Sequence, residues 1–263
     1  MTSTPGTSQL RRRTQEHYNR YPFGFDQEEI LQEKLEHRVS GDAIRALKDP
    51  KALVMDVGCG ACRIARLVRR TTKARTVSVD LSMESLRAAR KHESGPLVNG
   101  DNLFLPFPDD VADLVISNGV IHHTPDARAS FMELARITKP GGTLIVSVYN
   151  RRSWYYYAYV YVGGVIRWLR GVIGDRGLKL TVFPFFHLAT VGLLCAITRR
   201  WVRLPLKTSW NLFHDQFTTP QCTFHTFEEI AGWASKAGMT CQETRCEAAN
   251  QLATLRLEKE IRT

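Results

Sequence analysis

Short apolar runs alternate with stretches of helical periodicity along residues 51–150. The runs are nearly continuous, which is typical of strands buried on both faces of a parallel sheet. They predict strands over 51–56, 75–80, 97–99, 113–117 and 143–149. Between them, apolar positions recur every three or four residues, which predicts helices over about 62–71, 83–92 and 126–137. The alternation indicates an α/β fold with helices on both faces of the sheet.

Segments on either side complete this core. Upstream, amphipathic patterns predict two helices separated by the aromatic cluster Tyr18–Gly24, the second helix running over about Asp26–Lys48. This part either folds over a ligand as a lid or simply docks on the core. Downstream, Thr226 and Glu229 have the spacing of a capping box that begins a helix. Two further runs, at 239–247 and 251–257, predict closing strands that pair antiparallel.

Residues 151–218 interrupt the alternating pattern. Leu180–Thr198 is a run of 19 residues without a formal charge, which is close to the length of a membrane span. Pro184 and His187 interrupt that run, and a span would divide the α/β domain, so we predict a helical cap instead. The aromatic residues of this cap cluster at Trp154, Tyr155, Tyr156, Tyr157, Tyr159 and Tyr161. We expect them to fill the core of the cap, with one or two reaching a pocket.

The chain of 263 residues therefore divides into four predicted parts. They are an N-terminal segment that is the candidate lid (1–50), the α/β core (51–150), the cap (151–218) and the C-terminal part of the core (219–263). Apolar residues make up 43% and charged residues 24%, which indicates a globular rather than a disordered chain.

The net charge of +10 is concentrated in the cap. Residues 151–210 contain ten basic residues and one acidic residue, Asp175. Basic flanks with interfacial Trp and Tyr favour peripheral contact with an anionic membrane. Nucleic acid is the second choice, because the segment lacks a recognisable RNA-binding motif. A homodimer formed through this segment is left open.

The six cysteines do not indicate a metal site. Cys59 and Cys62 form a CxxC, but no second Cys/His pair follows at the spacing of a zinc site. Residues 1–9 are rich in Thr and Ser and lack the apolar stretch of a secretory signal. We therefore expect a cytoplasmic protein with reduced thiols, peripheral to the membrane if the cap binds lipid.

A glycine turn follows the first predicted strand. Gly58 and Gly60 allow a tight turn to which a ligand can approach closely, and a helix follows at once. Asp80 ends the second strand, 20 residues after Gly60, where an acid can accept both hydroxyls of a ribose. The combination predicts a nucleoside site at the carboxyl ends of the strands.

Further blocks give this pattern a family resemblance. They are Asp56–Gly60, Val79–Ser82, Gly100–Phe107, Asp113–His123 and Arg136–Gly142. In this order and spacing, the chain resembles the class I S-adenosylmethionine-dependent methyltransferases, in particular those that act on small molecules. The resemblance covers 51–150 strongly and 226–257 weakly. It implies a Rossmann-like, doubly wound, seven-stranded and mostly parallel sheet of order 3-2-1-4-5-7-6, with the helical insertion between strands 5 and 6.

The resemblance also implies roles for individual residues around S-adenosylmethionine. The backbone of Gly58, Cys59 and Gly60 would pass the methionine part and the ribose, and Asp56 would hold the methionine amino group. Asp80 would take the ribose hydroxyls, with Leu81 or Met83 against the adenine. Asp101 would accept from the adenine amino group beside Asn102, and Asn118 would flank the sulfonium. The family usually has a third glycine where this chain has Cys62, and a small thiol can replace glycine if φ stays negative, with helix and strand slightly further apart.

Methyl transfer needs alignment and exclusion of water, and a general base if the acceptor loses a proton. Candidates from the sequence are His123, Tyr149 and Asn118, followed by His122, Asn150, His214, Asp215 and His225. The pair His214–Asp215 reads most simply as part of a surface loop. The expected acceptor is a small metabolite, apolar or lipid- or quinone-like. The alternatives are a tRNA acceptor, or a non-methyl use of the cofactor such as aminobutyryl transfer or cyclisation.

Overall fold

The computed structural model describes residues 5–22, 43–44, 47–92, 95–247 and 251–260. The helix predicted over Asp26–Lys48 lies almost entirely outside these residues, as do Phe23 and Gly24 of the aromatic cluster.

A seven-stranded sheet of order β3-β2-β1-β4-β5-β7-β6 forms the centre of the molecule. Its strands are β1 (Leu53–Val57), β2 (Arg75–Asp80), β3 (Leu97–Asn99), β4 (Ala112–Asn118), β5 (Thr138–Tyr149), β6 (Met239–Glu247) and β7 (Leu252–Lys259). The first five pair in parallel, and β7 runs antiparallel to both β5 and β6. The predicted sheet order and the antiparallel closing pair are confirmed.

Helices cover both faces of the sheet. They are α2 (Arg63–Thr71), α3 (Met83–Ala89), α4 (Ala127–Ile137) and α9 (Phe227–Lys236), with a 3-10 turn at Ile121–His123. Phe131, Leu134 and Ile230 bury one face of the sheet, while Ile64 and Leu67 bury the other. The apolar runs of the strands are continuous because both faces are covered in this way. The predicted N-cap Ser82 and the Thr226–Glu229 capping box are both present.

Strand β5 begins five residues earlier than the sequence predicted. Thr138 already pairs with Ala112, and the register then shifts before Thr143 pairs with Leu114. A Cβ on Gly142 would lie 2.8 Å from the Lys139 carbonyl oxygen, so the irregular stretch needs glycine there. Lys139 also pairs with Asp113 at 2.8 Å, which holds the start of β5 against β4.

The insertion between β5 and β6 is helical, as predicted. It consists of α5 (Trp154–Tyr157), a π-helical segment (Ala158–Val162), α6 (Gly163–Thr181), α7 (Phe183–Thr198) and α8 (Leu206–Phe217). The inner faces of these helices share an apolar cluster of Ile166, Leu178, Phe183 and Phe213. Gly174, with φ 65° and ψ −179°, breaks α6 in its second half.

The helices of the insertion were tested against the requirements of a membrane span. Within the described ranges, no single helix is both long and apolar enough to cross a bilayer. The bent pair Trp154–Thr181 and Phe183–Ala196, with 47° between its halves, meets the length and composition requirement only when the two are taken together.

Helix α1 (Pro5–Arg20) connects the core to the insertion. On the core side, Gln15 Nε2 donates to the Leu81 carbonyl at 3.2 Å, and Ser82 Oγ donates to Asn19 Oδ1 at 2.9 Å. On the insertion side, the Tyr21 hydroxyl donates to Asp175 at 2.6 Å. The helix therefore lies across the end of the sheet at which β2 terminates.

Candidate active site

One cavity of about 350 Å³ opens at the carboxyl ends of the parallel strands, between the sheet, α1 and the insertion. Ligands of doubly wound sheets bind at this edge. The cavity wall contains most of the residues assigned a role from the sequence: Asp56, Gly58, Cys59, Gly60, Asp80, Leu81, Asp101, Asn102, Asn118, His123 and Tyr149. Met83, the alternative to Leu81, is exposed and does not line the cavity.

The glycine turn brings the tip of β1 against the tip of β2. The Gly58 and Cys59 amides both donate to the Val79 carbonyl, at 2.7 and 2.9 Å. Gly58 has φ 80°, and a Cβ there would lie 2.4 Å from the Val120 side chain. A larger residue at this position would therefore displace both the turn and the loop after β4.

The condition that Cys62 keeps a negative φ is not met. Cys62 has φ 54° and ψ 37° in the left-handed region and directly precedes α2. The chain reverses there within four residues, and the Cys62 amide closes the turn on the Cys59 carbonyl at 2.8 Å. The buried thiol packs with Ala65 and Leu86, so packing offsets the strain of an L residue in this conformation. A hydrogen bond with Cys62 and burial raise the pKa of the Cys59 thiol, which keeps it protonated at neutral pH.

Backbone amides fix the carboxylates of the wall. Asp80 accepts from the Gly60 amide and from the Ser82 amide, both at 2.8 Å. Burial nevertheless raises the pKa of Asp80. Asp101 accepts from the Leu103 amide at 3.0 Å and forms an ion pair with Arg11 of α1 at 2.5 Å. Helix α1 is therefore tied to the carboxylate expected to face the adenine.

The donor set of the cavity fits a cationic nucleoside. Four carboxylates line it, those of Asp56, Asp80, Asp101 and Asp215, against one guanidinium, that of Arg63. Within the described part of the chain, the buried Asn102 Nδ2 and Asn118 Oδ1 atoms have no hydrogen-bond partner. Buried polar atoms are normally hydrogen-bonded, so a ligand with a matching acceptor and donor would satisfy them. Gly119 has φ 78° and open space where its Cβ would lie, which leaves room beside Asn118.

A polar network lies on the opposite side of the cavity, where α1 and α8 meet the sheet. The Tyr18 hydroxyl donates to Asp215 Oδ1 at 3.2 Å. Gln216 Nε2 lies 3.2 Å from both Asp215 Oδ2 and the Tyr149 hydroxyl oxygen, and Gln251 Nε2 donates to Gln216 Oε1 at 3.0 Å. The network joins the N-terminal helix, β5, the insertion and the start of β7 around one space.

His123 and Asp215 are the titratable pair of this network. His123 Nδ1 lies 2.9 Å from the Gln221 carbonyl oxygen, which can only accept, so Nδ1 carries the proton and Nε2 keeps its lone pair. Burial lowers the pKa of His123, although the neighbouring Asp215 opposes this. Burial raises the pKa of Asp215, although His123 and Tyr18 oppose that shift. The lowered pKa keeps His123 neutral at neutral pH, and the raised pKa makes Asp215 a stronger base than an exposed carboxylate.

The surface-loop interpretation of His214–Asp215 is wrong. Both residues lie in α8, where His214 is fully buried and Asp215 is 9% exposed. The His214 ring stacks on Tyr21 with a centroid distance of 3.7 Å, and the ring does not line the cavity. Adjacent residues on a helix point about 100° apart, so Asp215 lines the cavity while His214 packs on the rings of His17 and Tyr21. The sequence pattern around 206–217 did not predict which of the two residues would line the cavity.

The remaining candidates lie behind the cavity wall. His122 Nδ1 accepts from the Tyr149 amide at 3.3 Å, and His225 contacts Thr223 and Glu229. Asn150 is buried outside the cavity. The expectation that a tyrosine of 155–161 reaches the pocket is also wrong: Tyr155 is buried behind Tyr149 and donates to the Gln216 carbonyl at 2.7 Å, whereas Tyr157 and Tyr161 are exposed. Sequence reasoning missed Thr14, Gln216 and Gln251, which belong to no motif.

Fold and site together define a Rossmann-like domain whose cavity lies at the carboxyl ends of its parallel strands. Residues 55–146 match the family model described as "Methyltransferase domain". A chain from the complex of the Haloferax volcanii Trm112 methyltransferase activator with a methyltransferase superposes with a TM-score of 0.57 at 16% identity, over 95% of this chain and 97% of that one. Residues 55–146 therefore have the sequence of a methyltransferase domain, and the fold around them is that of the class I S-adenosylmethionine-dependent methyltransferases. The matched domain supports S-adenosylmethionine as the cofactor.

Curated relatives carry different acceptors in their names. The demethylmenaquinone methyltransferase of Corynebacterium efficiens is 35% identical over 101 residues, which are 38% of this chain and 43% of the relative. The protein of the same name from Streptomyces avermitilis is 29% identical over 149 residues, which are 56% and 63%. "Probable tRNA methyltransferase 9B" of Homo sapiens is 36% identical over 103 residues, which are 38% and 22%. The chain thus spans about half the length of the first two relatives.

Proposed function

We propose that this protein methylates a small, apolar, quinone-like acceptor in the cavity beneath the insertion, with S-adenosylmethionine as the donor. The observation that supports this most directly is the composition of the cavity. It joins the glycine turn and its acids to Leu194 of α7 and Leu212 of α8, two apolar side chains that only the insertion supplies. The names of the Corynebacterium and Streptomyces relatives favour a quinone-like acceptor.

The cofactor side of the cavity would hold S-adenosylmethionine through its polar wall. Asp80 would accept from the ribose hydroxyls, because its carboxylate is already fixed by two amides. Asp56 would face the methionine amino group, and Asn118 Oδ1 would lie near the positive charge of the sulfonium. Asp101 and Asn102 would face the adenine. Helix α1 would close this side as a lid, through Thr14, Tyr18 and the Arg11–Asp101 ion pair.

The acceptor side would remove a proton. When bound, S-adenosylmethionine supplies an electrophilic methyl group, whose bond to sulfur breaks as the acceptor's nucleophilic atom attacks. A hydroquinone or enol acceptor releases a proton in this step, and Asp215 or His123 Nε2 would take it up. Tyr18 and Gln216 hold the Asp215 carboxylate in place, and the ring of Tyr149 would pack against the acceptor. Exclusion of water by α1 and the insertion favours methyl transfer over side reactions.

Peripheral contact with a membrane through 151–210 is part of the same proposal, since quinone-like acceptors partition into bilayers. A tRNA acceptor is the second candidate, supported by the human relative and by the basic charge of the insertion. The two candidates differ in salt dependence, because binding to a nucleic acid weakens steeply as phosphate contacts are screened.

The experiment has a binding step and a transfer step. Binding of S-adenosylmethionine or S-adenosylhomocysteine to the purified protein should raise its melting temperature. Methyl-labelled cofactor should then transfer label to a lipid extract rather than to bulk tRNA. Absence of stabilisation by both compounds would refute the proposal. A product formed from the cofactor alone would instead identify a non-methyl outcome.

Asp215→Asn isolates the proton acceptor. We expect it to lower kcat by about a hundredfold, the usual contribution of a general base, with little change in cofactor affinity. Asp109→Asn is the matched control, because Asp109 is exposed and pairs with Arg136 at the opposite end of β4. Equal kcat values for the two variants would remove Asp215 from the mechanism.

A further inference from the structure

We propose that the outer faces of α5–α7 form a docking surface for an anionic lipid bilayer. The term docking surface here means the exposed side chains between Trp154 and Lys207. The inference deepens the proposed function by naming a bilayer as the partner that would present the apolar acceptor. Only the delivery of this acceptor rests on the proposed function. The surface itself can be tested without any methyl transfer.

Exposed apolar side chains are confined almost entirely to this surface. Among the residues that the structure describes, all large hydrophobic side chains of high exposure lie between Trp154 and Leu206 except Met83 and Phe104. Soluble proteins seldom expose such residues in one contiguous segment unless they contact a partner or a membrane. The described residues leave these side chains uncovered, so the segment is a candidate contact surface for a partner or a membrane.

The first part of the surface is one face of the α5–α6 helix. Its exposed residues from Trp154 to Gly174 include no charged side chain, because Arg167 and Arg170 are turned inward. Arg167 donates to the Phe217 carbonyl at 3.0 Å, and Arg170 pairs with Asp175 at 2.7 Å. Helical spacing places Tyr161, Val165, Trp168 and Val172 along one stripe, and each of these is more than half exposed.

The second part of the surface is the outer face of α7. Phe185 is 75% exposed, Leu188 68% and Leu193 60%, and these residues recur at helical spacing. Small uncharged residues fill the intervening exposed positions, so the stripe carries no charge along the helix. A solvent-facing helix normally shows its polar face to water, and α7 does the reverse.

Basic side chains border both stripes. Arg176 and Lys179 are exposed between the two, and Arg199, Arg200 and Arg203 are exposed after the second. The only acid of residues 151–210, Asp175, is already paired with Arg170 and Arg20. Trp201, 88% exposed, stands among the arginines. The apolar stripes would enter the acyl region of an anionic membrane. The bordering cations and the tryptophan would lie at the level of its headgroups.

Charge and packing favour a lipid bilayer on this surface over a second copy of the chain, RNA or a transmembrane arrangement. A second copy would bring the same cationic border against itself, so two such surfaces repel each other. RNA would be attracted by the arginines but would leave the apolar stripes in water. A transmembrane arrangement would place both helices inside the bilayer, whereas their inner faces pack on Phe213 of α8, a helix that also carries charged residues. The helices therefore lie along the bilayer rather than across it.

Helix α7 also connects the docking surface with the cavity. Leu194 lines the cavity, and its neighbour Leu193 faces outward. An apolar molecule that leaves the bilayer beside α7 would meet the cavity on the other side of the same helix. For the proposed reaction, this places the apolar acceptor next to its site without exposure to bulk water.

The test measures co-flotation of the full chain with vesicles of phosphatidylcholine alone or mixed with an equal part of phosphatidylglycerol. We expect binding to the mixed vesicles that weakens with salt. Phe185→Ser with Leu188→Ser should lower the affinity at least about tenfold, because two side chains lose their burial in lipid. Phe104→Ser is the control, because it removes an exposed ring that lies outside the insertion. It should bind like the wild type.

A charge-reversed pair tests the cationic border. Arg176→Glu with Arg200→Glu should lower binding to the mixed vesicles at least about tenfold. Lys73→Glu with Arg75→Glu changes the net charge equally at the far end of β2 and should not. Stabilisation by S-adenosylhomocysteine, measured on each variant, shows that the fold is kept and reports on the proposed cofactor independently. Equal binding by all variants would overturn the proposal. A dimer that the Phe185/Leu188 variant abolishes would overturn it as well, and so would a salt-sensitive tRNA complex that this variant abolishes.

Discussion

Acidification should weaken the contact between α1 and the insertion through His17 and His214. Both rings are buried and lie next to Tyr21, with 6.3 Å between the two imidazole centroids. Burial first, then the nearby positive charges of Arg170 and of the other histidines, lower the pKa of His17 to about 3. Burial and Arg170 lower the pKa of His214 to about 3 as well, against an opposing contribution from Asp175.

The sign of the effect follows from the direction of these shifts. An unfolded histidine has a pKa of about 6.5, so between about pH 6.5 and pH 3 the unfolded chain binds more protons than the folded one. The free energy of unfolding therefore falls as the pH drops below about 6.5. At about pH 5 each histidine costs about 2 kcal/mol relative to neutral pH, and the pair costs about 4 kcal/mol. For a chain of this size, that corresponds to a fall in Tm of about 10 °C.

The assay is thermal unfolding at about pH 7.5 and about pH 5 for the wild type and for His17→Phe/His214→Phe. Phenylalanine keeps the stacking on Tyr21 but cannot be protonated. The wild type contains other buried histidines, so the measured quantity is the difference between the two acid-induced falls, which should be about 10 °C. His92→Phe, which removes an exposed histidine next to α3, is the control and should leave the fall unchanged. If the double variant loses as much stability in acid as the wild type, the reasoning is refuted.

Three further predictions test the turn, its acid and one cap. Asp80→Ala should abolish stabilisation by S-adenosylhomocysteine in a melting assay, because it removes both the proposed ribose acceptor and the partner of the Gly60 amide; undiminished stabilisation would contradict this. Cys62→Gly should change the free energy of unfolding by less than about 1 kcal/mol, since relief of left-handed strain offsets the lost thiol packing, whereas Cys62→Val should cost about 2 kcal/mol or more. Equal denaturation midpoints for these two variants would argue against the left-handed conformation. Thr226→Ala should cost about 1 kcal/mol in a urea titration through loss of the capping box of α9, and an unchanged midpoint would show that the cap contributes nothing.

The sequence alone was sufficient for the core of the fold. The apolar runs from Leu53 to Tyr149 are long enough and regular enough to predict buried parallel strands, because a sheet covered on both faces tolerates few polar positions. Its order followed from the family resemblance. The glycine turn and the acids at the strand ends could likewise be placed at one edge of the sheet, because parallel strands all terminate there. These features are local or follow from the direction of the strands.

Other features depended on contacts between segments far apart in the chain. The backbone conformation of Cys62 could not be read from its identity, since φ there is set by how α2 packs against β1 and α3. The position of Asp215 beside His123 and Tyr18 depends on how the insertion folds back over the sheet, and no spacing in the sequence encodes that. The tyrosines of 155–161 could be recognised as a cluster, yet only packing against Tyr149 and Phe224 decided that none of them reaches the cavity. Hydrophobic pattern determines which faces are buried within an element, whereas the partner that buries each face is decided by the tertiary structure. For the insertion, that structure leaves two apolar faces without a partner in the described chain.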